Sequence, residues 1–162
     1  MHGEVTARPV RLPADLELLI SVYGATRRPE LDMLGWTEGQ IDAFIRMQFE
    51  AQDRHYRSFY PGARHSIVEV GARSAGRLIV DRVAAEIRIV DLALLPAFRR
   101  AGIGSAVVER LCEEADANGL PIRCHVEQGN EAKGFWEQLG LVATRVDGAH
   151  IAMERVCVTS PR

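Results

Sequence analysis

The residues with the clearest chemical potential are the arginines and glycines of Pro96–Ser105, which reads P-A-F-R-R-A-G-I-G-S. This segment follows an apolar, strand-like run, Ile87–Leu95, and leads into an amphipathic segment, Gly102–Asn118, with helical spacing. The first amides of a helix lack carbonyl partners, and the helix dipole adds about half a positive charge there. The glycines allow a phosphate to approach the backbone, and the arginines offer guanidinium groups that suit phosphate. The pattern therefore predicts a pyrophosphate-binding turn.

Three phosphate-binding patterns compete for this turn. A P-loop requires a Gly-Lys pair, which the chain lacks because Lys133 is its only lysine. A dinucleotide fingerprint requires a third glycine where Val107 stands, so a nucleotide-binding domain of another class is disfavoured. The third pattern, R-x-x-G-x-G after a strand that ends in a proline turn, matches at every fixed position. Its residues are Arg99, Arg100, Ala101, Gly102, Ile103 and Gly104, followed by Ser105.

The matching pattern resembles the coenzyme A signature, Q/R-x-x-G-x-G/A, of the GNAT N-acetyltransferase superfamily. The preceding segment, Leu92–Pro96, is similar to the family's L-x-V-x-P. Downstream, Val126–Leu141 is similar to its second motif, V-x-x-x-N-x-x-A-x-x-F-Y-x-x-x-G-F. The close resemblance covers residues 86–155 of a chain whose 162 residues predict a single domain.

The resemblance implies an acetyl-CoA-dependent N-acetyltransferase, in which a neutral amine attacks the thioester directly in a ternary complex. In this family the signature strand, here Glu86–Leu95, and the next strand, Ile122–Val126, diverge, and the pantetheine arm of acetyl-CoA enters the gap. The implied coenzyme contacts are the backbone of Leu92 and Leu94, the turn Arg99–Ser105, the Asn130 side chain and the ring of Trp136. Asn130 is also a suitable cap for the helix that follows it.

The catalytic groups are less well specified. Asp91 interrupts an apolar run, where a buried carboxylate is able to act as a base, although an outward position at a sheet edge is the alternative. Glu86 is a second candidate base, with a solvated surface charge as its alternative. A backbone N–H at Leu94 is the predicted oxyanion donor. His125 lies on the next strand, where a histidine is more often structural.

One position departs from the family pattern. The usual general acid is a tyrosine, and Trp136 stands in its place, with an indole N–H that does not release a proton at neutral pH. Either another group supplies the proton, or coenzyme A leaves as a thiolate. The departure also keeps open a non-catalytic acyl-CoA-binding or sensor domain. Tyr56, Tyr60 and Trp36 fall where this family usually builds its acceptor pocket, but such aromatics are by default core or surface residues.

Periodicity and turn signals predict the order β-α-α-β-β-β-α-β-α-β-β. This order indicates an α/β (α+β) fold with a mixed central sheet of about six to seven strands and helices on both faces. A capping box, Thr37 with Gln40, starts the second helix, and Arg27–Trp36 is predicted as a loop. The predicted strands are Val5–Leu12, Ser66–Val70, Arg77–Val80, Glu86–Leu95, Ile122–Val126, Val142–Val146 and Ile151–Arg155. The predicted helices are Pro13–Thr26, Thr37–Phe59, Gly102–Asn118 and Asn130–Leu139.

Composition restricts the partners and the compartment. A net charge of −2 implies no general attraction to nucleic acid. No apolar run approaches the roughly 18 residues that span a membrane, and no signal peptide is apparent. Three cysteines without C-x-x-C spacing argue against a disulfide framework and against a metal site. We therefore expect a cytoplasmic protein whose partner is a small-molecule or peptide amine, and the resemblance implies a homodimer as one arrangement.

Overall fold

The structure is a computed structural model that describes residues 3–158. Strands and helices follow one another in the predicted order. They are β1 Val5–Pro9, α1 Leu16–Leu31, α2 Glu38–Phe59, β2 Arg64–Val70, β3 Arg73–Val83, β4 Glu86–Leu94, α3 Ile103–Asn118, β5 Ile122–Glu127, α4 Ala132–Gln138, β6 Val142–Asp147 and β7 His150–Arg155. None of the helices within this range is long and apolar enough to cross a membrane.

The strands form one mixed sheet in the order β1-β2-β3-β4-β5-β7-β6. Within residues 3–158, β4 and β5 are the one parallel pair, and the other neighbours are antiparallel. Consecutive residues of a strand point to opposite faces, and the fully buried Ile67 and Val68 of β2 belong to two different apolar clusters. Ile67 packs with α1 and α2, and Val68 packs with α3 and α4. The predicted fold class is therefore confirmed.

Helix α1 is longer than its sequence predicts. The predicted loop Arg27–Trp36 is helical as far as Leu31, and a short 3-10 turn, Asp32–Leu34, follows it. Leu31 is buried in the core between α1 and α2, so tertiary packing outweighs the loop-like composition of this segment. The predicted capping box is confirmed, because Thr37 Oγ1 accepts from Gln40 N at 3.2 Å and Gln40 Oε1 accepts from Thr37 N at 2.9 Å.

The first strand ends earlier than predicted, at Pro9 rather than at Leu12. Asp15 accounts for the change, because its carboxylate accepts hydrogen bonds from the Arg11 backbone N–H at 2.6 Å and from the Arg8 guanidinium at 2.9 Å. These contacts hold the chain in a turn before α1 begins.

Gly76 allows β3 to approach β4 closely in the region that precedes the turn Arg99–Ser105. A Cβ atom added at this position would lie 2.1 Å from the Ala93 carbonyl oxygen and 2.9 Å from Leu94 Cα. Both are backbone atoms of the neighbouring strand, so neither can move aside without a shift of β4.

We expect Gly76→Ala to lower the free energy of unfolding by about 1–3 kcal/mol, the usual cost of forcing an extra methyl group into a packed region. Urea unfolding of both proteins measures this difference. Gly134→Ala is the matched control, because a Cβ at Gly134 meets nothing within 4 Å and alanine is the better helix former. An unchanged midpoint for Gly76→Ala would contradict the close approach of the two strands.

Candidate functional site

Strands β4 and β5 begin side by side and then separate. Their pairing joins Ile87 to Ile122 and Arg88 to Arg123, and it goes no further in the described part of the chain. Beyond Arg88, the edge of β4 that faces β5 has no strand partner there. The divergence that the family resemblance implied is therefore present, and it opens a gap in the middle of the sheet.

Val90 is an extra residue in β4 at the start of this gap. The β3–β4 ladder pairs Ile79 with Asp91 and Val80 with Ile89, which leaves Val90 without a partner on β3. Such a β-bulge bends the strand and changes the direction of its backbone groups, and bulges are common beside active sites.

The main-chain groups of Leu92 and Leu94 face the gap. The Leu95 N–H donates to the Ala75 carbonyl at 2.8 Å, so these two residues form a bonded pair of the antiparallel ladder. Bonded and non-bonded pairs alternate along such a ladder, so Leu94 and Leu92 direct their N–H and C=O groups away from β3 and towards β5. The Leu94 carbonyl also accepts a hydrogen bond from Arg99 Nε at 3.0 Å.

The turn between β4 and α3 leaves open space above its backbone. Gly102 has a φ of 78°, and a Cβ atom at this position would meet nothing within 4 Å. Helix α3 begins at the next residue, the buried Ile103, so its first amides point towards this space. Arg100 also adopts the left-handed conformation, with a φ of 60°, which costs a residue with a side chain about 1–2 kcal/mol. The fold therefore holds strain at this turn.

The absence of a side chain at Gly104 has a packing reason in addition to the predicted access of a phosphate. A Cβ atom at Gly104 would lie 3.3 Å from Phe135 Cζ, so the Phe135 ring of α4 covers the first turn of α3. The sequence did not indicate this contact, because it joins two helices that are far apart in the chain.

Asn130 and Trp136 both have structural contacts. Asn130 Oδ1 accepts a hydrogen bond from the Ala132 N–H at 2.8 Å, an Asx turn that leads into α4, whereas the N-cap position itself is Glu131 and not the predicted Asn130. The Trp136 ring is 8% exposed and belongs to the main apolar core, with the Phe135 ring edge-on against it at 5.0 Å. This burial leaves little of the indole surface for contact with a ligand.

Asp91 forms an ion pair that the sequence did not predict. Its Oδ2 accepts hydrogen bonds from Nε of Arg77 at 2.9 Å and from Nη2 of the same guanidinium. Arg77 is 2% exposed, its Nη2 also donates to Gln52 Oε1 at 2.7 Å, and its Nη1 is buried without a partner. From the sequence, Asp91 was expected either to be a buried carboxylate or to point outward at a sheet edge. In the structure it is instead the partner of a buried arginine. An arginine on a strand gives no sequence signal for such burial.

Glu86 lies at the closed end of the strand pair. Its Oε1 accepts from Arg123 Nη1 at 3.3 Å, and its Oε2 lies 2.8 Å from Arg88 Nε, although the N–H direction there does not make an aligned hydrogen bond. The side chain is 17% exposed, so the expected solvated charge is in fact a partly buried ion-pair partner. The two ladder pairs of β4 and β5 begin at the next residue and separate Glu86 from the gap.

A cavity of about 300 Å³ lies beside the bulge, on the face of the sheet that carries α2. It brings together the end of α2, the bulge of β4, β5 and the turn between β6 and β7. Its lining residues are His55, Tyr56, Tyr60, Arg88, Ile89, Val90, His125, Asp147 and His150. The two tyrosines therefore line a cavity, whereas Trp36 packs edge-on against Phe44 at 5.3 Å. Sequence reasoning missed His55, Arg88 and His150, which come from three different elements.

Cys124 lies on β5 beside the gap, but it is buried. Cys124 is 2% exposed, and burial raises the pKa of its thiol to about 12, so it does not supply a thiolate nucleophile. No group of three or more His, Cys, Asp or Glu side chains within residues 3–158 is arranged to hold a metal ion.

Comparisons with known proteins bear on this site. A sequence model described as the acetyltransferase (GNAT) family matches residues 30–141, which is more than half of the chain. A comparison with curated protein sequences finds no match.

Several solved structures share the fold. A PaiA N-acetyltransferase from Thermoplasma acidophilum in complex with coenzyme A is 19% identical, with a TM-score of 0.69 over 94% of this chain and 99% of that chain. An acetyltransferase from Thermus thermophilus is 20% identical, with a TM-score of 0.66 over 95% and 97% of the two chains. The ribosomal-protein-S18-alanine N-acetyltransferase from Escherichia coli is 17% identical, with a TM-score of 0.62 over 98% and 97%. At these identities the likeness concerns the fold.

Proposed function

The chain belongs to the GNAT acetyltransferase family, and we propose from this premise that it transfers an acetyl group from acetyl-CoA to a primary amine. The observation that carries the proposal is the ladder between β4 and β5, which ends after two residue pairs beside a bulge. The edge of β4 beyond that point is available to an extended ligand, and the turn Arg99–Ser105 lies at the end of the same strand.

The described residues fit acetyl-CoA as the donor. The gap-facing groups of Leu92 and Leu94 are suited to the amides of a pantetheine arm, and the turn Arg99–Ser105 is suited to a pyrophosphate. Asn130 keeps its side-chain N–H₂ for the coenzyme while its oxygen accepts from the Ala132 N–H. Trp136 contributes by supporting Phe135 over the turn rather than by direct contact.

The chemistry that we propose is direct transfer in a ternary complex. The amine nitrogen bonds to the acetyl carbon, the carbon–sulfur bond breaks, and coenzyme A leaves as a thiolate while a base takes the amine proton. Asp91 is our proposed base, because it adjoins the bulge and its Oδ1 is not used by Arg77. Glu86 is not retained, because the paired part of the ladder separates it from the gap.

The position of the cavity changes the proposed oxyanion donor. The cavity reaches β4 at Ile89 and Val90, and Leu94 lies about 13 Å further along at the usual rise of a strand. We therefore propose a main-chain N–H at the Val90 bulge as the oxyanion donor, and we assign Leu94 to the binding of the pantetheine arm.

Calorimetric titration with acetyl-CoA, with NADH as the control ligand, tests the proposal. We expect saturable binding of acetyl-CoA at one site per chain and no saturable binding of NADH. Absence of acetyl-CoA binding would overturn the proposal. Binding without release of the coenzyme A thiol in the presence of any amine would instead favour the non-catalytic acyl-CoA-binding alternative, which the tryptophan at position 136 keeps open.

Arg100→Gly is expected to change stability and affinity in opposite directions. Glycine adopts the left-handed conformation without strain, so we expect the variant to be about 0.5–1 kcal/mol more stable to urea. Loss of one guanidinium near the phosphates should weaken acetyl-CoA binding about tenfold. Arg100→Lys keeps both the charge and the strain, and it should retain most of the affinity. Unchanged affinity in Arg100→Gly would remove this residue from the site.

A further inference from the structure

The cavity beside the bulge contains formal charges, but each of them is already paired. Arg88 Nε lies 2.8 Å from Glu86 Oε2, and Arg88 Nη1 lies 3.1 Å from His125 Nδ1. A guanidinium is only a donor, so His125 Nδ1 accepts this hydrogen bond, and Nε2 carries the proton that faces Asp147 at 3.3 Å. Asp147 also accepts from Arg145 Nε at 2.8 Å. The formal charges of the cavity therefore already have partners in the protein.

The remaining polar groups of the cavity are two phenols and two imidazole rings, which carry no permanent charge. Within residues 3–158, the hydroxyls of Tyr56 and Tyr60 and the rings of His55 and His150 make no side-chain hydrogen bond. Burial raises the pKa of the Tyr56 phenol, so that hydroxyl stays protonated and remains a donor. The His55 and Tyr56 rings lie 6.1 Å apart at the end of α2 and give this side of the cavity flat apolar faces. The cavity therefore offers ring surfaces together with phenol and imidazole hydrogen-bonding groups.

We infer that the acceptor is a small monoamine on an uncharged, ring-bearing body, an inference that rests on the proposed function. A volume of about 300 Å³ is at the lower end of the range for small-molecule sites. An amino acid would bring a carboxylate to a cavity whose one lining arginine, Arg88, is already paired, and a polyamine would bring a second ammonium to a cavity whose one lining carboxylate, Asp147, is already paired. The cavity is open to solvent on one side, but a charge that gives up part of its hydration there without gaining a partner is disfavoured, so the cavity selects against both classes.

A panel of four amines tests the inference in the presence of saturating acetyl-CoA, with release of the coenzyme A thiol as the readout. Phenethylamine carries a ring and one amine, phenylalanine adds a carboxylate, phenylalanine amide removes that charge again, and spermidine replaces the ring with further amines. We expect kcat/KM for phenethylamine and phenylalanine amide to exceed the values for the other two about tenfold, because the extra charge gives up part of its hydration without gaining a partner. Equal or better use of phenylalanine or spermidine would overturn the inference.

A charge introduced into the cavity should change this preference. We expect His150→Glu to raise kcat/KM for spermidine relative to phenethylamine by at least about tenfold, because it supplies a free carboxylate. Met47→Glu adds the same charge on the outer side of α2, where Met47 is 55% exposed, and it should leave the ratio unchanged. An unchanged ratio in His150→Glu would overturn the assignment of selectivity to this cavity.

A binding experiment separates this inference from the proposed transfer. Saturation-transfer NMR on the protein without coenzyme compares phenethylamine with spermidine directly. Preferential binding of phenethylamine by a protein that fails to bind acetyl-CoA would support the cavity's chemistry and overturn the proposed function. Turnover that favours spermidine over phenethylamine would overturn the inference about the acceptor and leave the proposed function intact. Absence of both binding and turnover of phenethylamine would also overturn the inference.

Discussion

Replacement of Asp91 by leucine is expected to lower the free energy of unfolding by about 3–5 kcal/mol, because it leaves the guanidinium of Arg77 buried without a counter-charge. Arg77 is 2% exposed, and one of its nitrogens already lacks a partner. With Asp91 gone, Gln52 would be the one side-chain hydrogen-bond partner left to it among the described residues, and its amide oxygen carries no charge to offset the guanidinium. Urea unfolding followed by circular dichroism measures the difference.

The double variant Arg77→Met/Asp91→Leu is the control for this prediction. It removes both charges and keeps similar volume, and such replacement of an ion pair is often neutral or stabilising. Most of the stability lost in Asp91→Leu should therefore return. The single variant Arg77→Met should be milder than Asp91→Leu, because the carboxylate that it leaves is 22% exposed. Equal losses in Asp91→Leu and the double variant would show that the pair contributes little and that the leucine itself is poorly accommodated.

The fold was largely predictable from local patterns in the sequence. The capping box at Thr37 is one such pattern, since both of its contacts lie within four residues. The turn Arg99–Ser105 is another such pattern. Its glycines and arginines, and the apolar spacing of the strand before it and the helix after it, all belong to one continuous segment of the chain. The extension of α1 to Leu31 could not be predicted in this way. It depends on burial against α2, which no local pattern records.

The candidate site depends on register and on contacts between distant segments. The bulge at Val90 is visible only when β3 and β4 are paired residue by residue. The same pairing places Arg77 opposite Ala93 and so within reach of Asp91, although Arg77 and Asp91 are 14 positions apart in the chain. The cavity combines side chains from α2, β4, β5, β6 and β7, and its histidines follow no spacing motif. Sequence reasoning therefore found the proposed donor half of the site, but of the residues that line the cavity it placed only Tyr56 and Tyr60 in the acceptor half.

Because Asp91 pairs with Arg77, removal of both residues allows the proposed catalytic role of Asp91 to be measured without the loss of stability expected of Asp91→Leu. We expect the Arg77→Met/Asp91→Leu variant to fold and to bind acetyl-CoA with unchanged affinity, since neither residue belongs to the turn Arg99–Ser105 or to the gap-facing edge of β4. Its kcat should fall about 100- to 10,000-fold relative to Arg77→Met, the usual contribution of a positioned general base. Both proteins lack the arginine, so their difference reports the carboxylate alone.

The pH profile decides how Asp91 acts. A base that takes the amine proton in the rate-limiting step should matter most where the amine arrives protonated, so the kcat/KM ratio of the two variants should be largest at neutral pH. Towards pH 10 an alkylamine is increasingly neutral in solution, and the ratio should shrink. A ratio that stays constant across this range would mean that Asp91 does not deprotonate the incoming ammonium, and that the difference in kcat reports the proton lost as the nitrogen bonds to the acetyl carbon. Similar kcat values in the two variants would remove Asp91 from the mechanism and return the search for a base to the unpaired histidines of the cavity.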